Sequence, residues 1–109
     1  MDVLAAADEW ARLRTSDLPS EQHVAAWMDM PSDAWAAVLL RHPELAEWVA
    51  HAKKAPPDII ARLASHPDPR VRSNVAGQRR LDPALRQELA NDPDELVRTA
   101  AARFSNTDG

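Results

Sequence analysis

Apolar residues along the chain recur at three- and four-residue spacing in short runs, and proline closes nearly every run. Val71 and Val75 stand at i, i+4 after Asp68-Pro69, and Leu85 and Leu89 stand likewise after Asp82-Pro83. A carboxylate that accepts from the first free N–H groups, followed by a residue with a helical φ already fixed, marks a helix start. The pattern predicts helices over 2–14, 20–28, 33–41, 44–53, 58–65, 70–78, 84–90 and 94–104. Ser20 and Ser32 read as caps of the second and third, and Gly77 as a left-handed C-terminal residue of the sixth.

The runs are periodic. Pro19, Pro43, Pro67 and Pro93 are 24, 24 and 26 residues apart. Val24-Ala25, Val49-Ala50, Val75-Ala76 and Ala101-Ala102 follow at 25, 26 and 26, and Leu13, Leu39, Leu63 and Leu89 at 26, 24 and 26. Three columns at one period predict a single all-α domain over 1–109, a right-handed α-solenoid of helix pairs. It opens with helix 2–14, continues in repeats at about 19–42, 43–66 and 67–92, and ends in an incomplete repeat from 93. Ala25, Ala50, Ala76 and Ala102 form the small-residue column that lets adjacent helices approach. Leu13, Leu39, Leu63 and Leu89 form the complementary knobs, each worth about 2–3 kcal/mol when buried. The last helix lacks a pairing helix within the sequence, so it is left partly uncovered, is covered by a partner, or belongs to a longer chain.

Composition agrees with helices. The 109 residues include 9 prolines, 2 glycines, 4 tryptophans, 1 phenylalanine, and neither tyrosine nor cysteine. No apolar run approaches the ~18 residues of a membrane span, and the acidic start does not resemble a signal peptide. Absence of cysteine excludes disulfides, thiol catalysis and cysteine-bound metal, and fits a reduced, cytoplasmic setting.

The segment Leu63-Ala64-Ser65-His66-Pro67-Asp68-Pro69-Arg70-Val71-Arg72, followed by Val75-Ala76-Gly77, resembles the leucine-rich repeat variant family of bacteria, which are HEAT-like α-solenoids. Leu89-Ala90-Asn91-Asp92-Pro93-Asp94-Glu95-Leu96-Val97-Arg98 repeats the resemblance. It covers residues 57–104 closely and 31–56 with Leu45-Ala46 in place of the Val-Arg pair. Gln78-Arg79 stands where the family carries Asn-Pro. The resemblance implies an interaction scaffold. The iron–sulfur module of one branch needs cysteines that this chain lacks.

Charge is uneven. Residues 1–52 hold three basic and nine acidic side chains, whereas 53–109 hold ten basic and eight acidic. Lys53-Lys54 and Arg79-Arg80 are equivalent in the repeat and predict a two-row basic edge at the inter-helix turns. Such an edge can meet phosphates or an acidic partner, or serve only as solvated cations at helix C-termini. Arg72 and Arg98 each follow an aspartate by four residues (Asp68, Asp94). They predict intrahelical ion pairs or bridges to the next repeat, both structural.

Trp35 falls in the column of Ile59 and Leu85 and reads as core. Trp27 and Trp48 fall in mixed columns, which suits partial exposure at a partner surface as well as end-cap packing. His42 and His66 occupy matching links. Adjacent units stack ~10 Å apart, too far for the two rings to share a metal, and no hydrolytic constellation is spaced along the chain. The expectation is a non-enzymatic protein–protein interaction module with no catalytic residues, metal or cofactor. Its partner surfaces are Trp27 and Trp48 on one side and Lys53, Lys54, Arg79 and Arg80 on the other. Nucleic-acid binding along the basic edge is the alternative, and a regulatory subunit of an enzyme is a third.

Overall fold

A computed structural model of the chain describes residues 2–78 and 81–105. Every regular element among them is helical: α1 (Val3–Arg14), α2 (Pro19–Trp27), α3 (Ser32–Arg41), a 3₁₀ turn (Pro43–Leu45), α4 (Ala46–His51), α5 (Pro57–Leu63), α6 (Pro69–Ala76), α7 (Pro83–Ala90) and α8 (Glu95–Ser105). The protein is all-α. The chain divides into two compact units, Met1–Ile59 and Ile60–Gly109, with the division inside α5.

In the first unit α1 lies against both α2 and α3. Its apolar face is Ala6, Ala7, Trp10, Ala11 and Leu13, all buried, a spacing that lines one side of a helix. Trp10 is the centre of this packing. Its ring meets Trp35 edge to face at 5.3 Å between centroids, and its Nε1–H donates to the Ala25 carbonyl at 3.0 Å. One side chain therefore fixes the approach of two helices. Alanines at 7, 25 and 34 leave room for the indoles.

The link from α3 to α4 departs from the predicted single helix over 44–53. Pro43 precedes Pro67 by 24 residues, but Leu45 precedes Val71 by 26, so the first link lacks the two residues that hold an Asp-Pro start. The chain turns directly into a 3₁₀ helix, the Leu45 N–H donating to the His42 carbonyl at 2.9 Å. Only six α-helical residues follow.

In the second unit α6 lies against α8, and α7 contacts both. Val71 and Val75 on α6 face the core with Val97 and Ala101 on α8, and α7 contributes Leu89. Asp68 and Asp82 cap as their sequence predicts, accepting from the N–H groups of Arg70 and Ala84 at 2.9 and 3.1 Å.

Several local expectations are corrected. Gly77 has φ −82° and ψ −2°. Its N–H donates to the Ser73 carbonyl and the Gln78 N–H to the Val75 carbonyl, so the helix end needs no left-handed residue. Ser20 and Ser32 lie inside their helices, behind Pro19 and Pro31, and neither α2 nor α3 has a side-chain cap. Of the leucine column, Leu13, Leu63 and Leu89 are buried, but Leu39 is half-buried, because Trp35 and Val38 occupy the centre of the α3 face. Of the alanine column, Ala25, Ala50 and Ala76 are buried and Ala102 is exposed. Val97 and Ala101, one turn apart, face inward, and Ala102 is rotated about 100° away. Val24, which shares the pattern with buried Ala25, is exposed for the same reason.

Leucine at position 76 forces extra methylenes into a closed contact and should cost about 1–3 kcal/mol. Leucine at position 102 should change stability by less than about 0.5 kcal/mol. Urea unfolding of the Ala76→Leu and Ala102→Leu proteins tests the pair, and equal losses would contradict the assignment of the inward face.

Candidate interaction surface

The predicted pairs of Arg72 with Asp68 and of Arg98 with Asp94 do not form; both arginines converge on a different residue. Arg72 grips the Asp92 carboxylate through Nε at 2.8 Å and Nη2 at 3.2 Å, and Nη1 donates to the His66 and Pro67 carbonyls at 2.7 and 3.1 Å. Arg98 Nη1 donates to the Asp92 carbonyl at 2.8 Å. His66 and Asp92 also accept from the N–H two residues on, at Asp68 and Asp94. The links before Pro67 and Pro93 thus use one hydrogen-bond scheme 26 residues apart. Asp68 and Asp94 are occupied elsewhere: Asp68 pairs with Arg70 at 3.2 Å, and Asp94 accepts from the Leu96 N–H at 2.8 Å.

Asp92 is buried, and burial works against its charge. The Arg72 fork, the Asp94 N–H and the charge of Arg98 outweigh that cost and hold its carboxyl below the ordinary carboxylate value. Arg72 spends its donors inside the unit, so this network is structural.

In the first unit the arginines are also committed. Arg12 bridges Glu9 and Glu21 at 2.7 and 2.9 Å. Arg41 binds Asp8 through two nitrogens at 3.0 and 2.9 Å, and His42 Nε2 meets the same carboxylate at 2.9 Å. The Arg41 and His42 contacts hold the Asp8 carboxyl low, Arg41 contributing most. Arg14 lies over Trp48, its guanidinium carbon 4.2 Å from the ring centroid, a cation–π contact. His51 meets the same indole edge-on at 6.5 Å.

The tryptophans divide. Trp10 and Trp35 are core; Trp27 and Trp48 remain 53% and 45% exposed. Trp27 sits on the outward side of α2 with Val24, itself 51% exposed. Only Ala25 of α2 is buried, because the nine-residue helix meets α1 along a narrow line. Two large apolar side chains three residues apart in water form the clearest candidate contact surface on this unit. The Trp48 surface differs, since Arg14 covers one face of the indole.

Lys53 and Lys54 lie exposed in the turn after α4. Arg79 and Arg80, their proposed companions, lie outside the described residues. Among the described residues no three His, Asp or Glu side chains are grouped to hold a metal ion, and no helix is long and apolar enough to cross a membrane. No protein-family model, curated protein or solved structure matches the chain.

Sequence reasoning missed Asp92, Arg14 and Arg86. Asp92 was within reach, because it stands in the column of His42 and His66 before a proline. Arg86 is buried and donates to the Gln78 carbonyl at 2.7 Å; nothing in its spacing marks it.

The Asp92 linkage has a definite sign. A carboxyl held low in the folded state contributes stability that is full above the unfolded carboxylate value near ~3.9 and lost as pH falls through the lower folded value. Asp92→Asn should lower the denaturation midpoint at neutral pH and flatten its fall below about pH 4. Midpoints of both proteins measured between neutral pH and strong acid check this, and parallel curves would contradict it.

Proposed function

We propose that the chain is a non-enzymatic protein–protein interaction module, acting in the cytoplasm, whose helix pairs are units of a right-handed α-solenoid of the bacterial leucine-rich repeat variant, HEAT-like kind. The shared hydrogen-bond scheme at His66/Arg72 and Asp92/Arg98 supports the repeat reading. The observation that carries the function is the solvent-facing pair Val24 and Trp27. An indole half open to water loses about half its available burial energy, and recovers it when a partner covers the ring.

Nucleic-acid binding through Lys53 and Lys54 is the weaker reading, because the unit that holds them carries ten acidic residues against five basic. Single-strand binding usually pairs such cations with stacked aromatic rings.

Trp27 is 53% exposed and is not part of the buried core, so Trp27→Ala should stay within about 1 kcal/mol of the wild type. Affinity capture from the source cell, followed by mass spectrometry, should return a protein with the wild type and lose it with Trp27→Ala. Lys53→Glu/Lys54→Glu should not change duplex-DNA binding at low salt, which is expected to be absent. Strong, steeply salt-dependent DNA binding would replace the present reading with the nucleic-acid one.

A further inference from the structure

The outward face of α2 is Ser20, His23, Val24 and Trp27, at i, i+3, i+4 and i+7, all exposed. That spacing makes one continuous ridge along a helix, the shape a second helix packs against. The ridge is apolar at its C-terminal half, where Val24 and Trp27 stand.

Charge at the ends of the ridge selects the partner. Asp17 lies just before α2, Asp29 just after it and Asp33 in the first turn of α3; all three are exposed. None has an ion pair among the described residues. The arginines of this unit do not neutralise them, because Arg12 is held by Glu9 and Glu21, Arg41 by Asp8 and Arg14 by Trp48. An acidic segment brought to this face would meet uncompensated like charge, whereas a basic one would pair with it.

We propose that this face docks a basic amphipathic helix of a partner protein. Apolar residues at i, i+3 or i+4, and i+7 of that helix cover Val24 and Trp27, and Lys or Arg residues beyond them reach Asp17 and Asp29. The two carboxylates flank a nine-residue helix. At 1.5 Å per residue the helix alone is about 13.5 Å long, so the partner's basic groups stand at least about nine residues of helix apart. The proposal rests on the reading of the chain as a protein-binding module and gives that module's ligand a chemical class.

The test uses the full chain and three fluorescein-labelled synthetic helical peptides of one design. Each has leucines at i, i+4 and i+7 on an alanine framework, with four flanking positions all Lys, all Gln or all Glu. Fluorescence anisotropy should show saturable binding of the Lys peptide, at least tenfold weaker binding of the Gln peptide, and none of the Glu peptide. Trp27→Ala should weaken the Lys peptide at least tenfold and Trp27→Phe less than threefold. Asp17→Asn/Asp29→Asn should weaken it severalfold and reduce its salt dependence, with far-UV ellipticity unchanged in every variant.

Equal binding of the Lys and Gln peptides, binding unaffected by Trp27→Ala, or no binding of any peptide would each overturn the proposal. If the capture experiment still returns a Trp27-dependent protein partner when no peptide binds, the module stands and only the basic-helix ligand falls. If capture fails as well, both fall.

Discussion

A helix of 6 to 12 residues does not hold its shape alone in water, and every helix here falls in that range. Nucleating the first turn fixes several backbone torsions for one hydrogen bond, and segments this short add too few further bonds to recover the cost. Each helix persists because a neighbour covers one of its sides. That requirement explains why small residues hold the inward positions at 7, 25, 34, 50, 76 and 101. A methyl group there lets helix axes close until the larger side chains interlock. It also explains why two tryptophans sit in the middle of the first unit, where α1 alone must hold two helices.

Helix placement was legible in the sequence because the signals that set it are local. A proline fixes its own φ, and an aspartate before a proline caps the helix that follows, whatever lies elsewhere in the chain. Which residue of an adjacent pair faces inward was not legible, because that depends on how far one helix is rolled against the next. Val24 and Ala25 share a column with Val75 and Ala76, yet Val75 is buried and Val24 is in water. The arginines show the same limit. A repeated arginine four residues after an aspartate invites an intrahelical pair, but the carboxylate that Arg72 takes lies 20 residues on and is brought near only by folding. Of the candidate surface, the openness of Trp27 and Trp48 could be suspected from mixed columns. The Arg14–Trp48 contact joins two helices and left no mark on the spacing.

Four arginines of this protein tie one part of the fold to another. Arg12, Arg41, Arg72 and Arg98 each close a contact between a helix and a carboxylate or carbonyl distant in sequence. Guanidinium suits the task, since its rigid fork serves two acceptors at once and stays charged at any physiological pH. A consequence is that, Lys53 and Lys54 aside, the exposed charges of the first unit with no ion pair among the described residues are carboxylates, although the chain as a whole carries a net charge of only −4.

All four tryptophans lie before residue 49, in the first unit. Intrinsic fluorescence is therefore blind to Ile60 onward, while far-UV ellipticity reports helices of both units. Trp10 and Trp35, shielded from water, emit at shorter wavelength than Trp27, so even the native spectrum is a blend of two environments. Following both optical signals through one denaturation curve separates the melting of the two halves without any added label, and coincident curves would show that they unfold together.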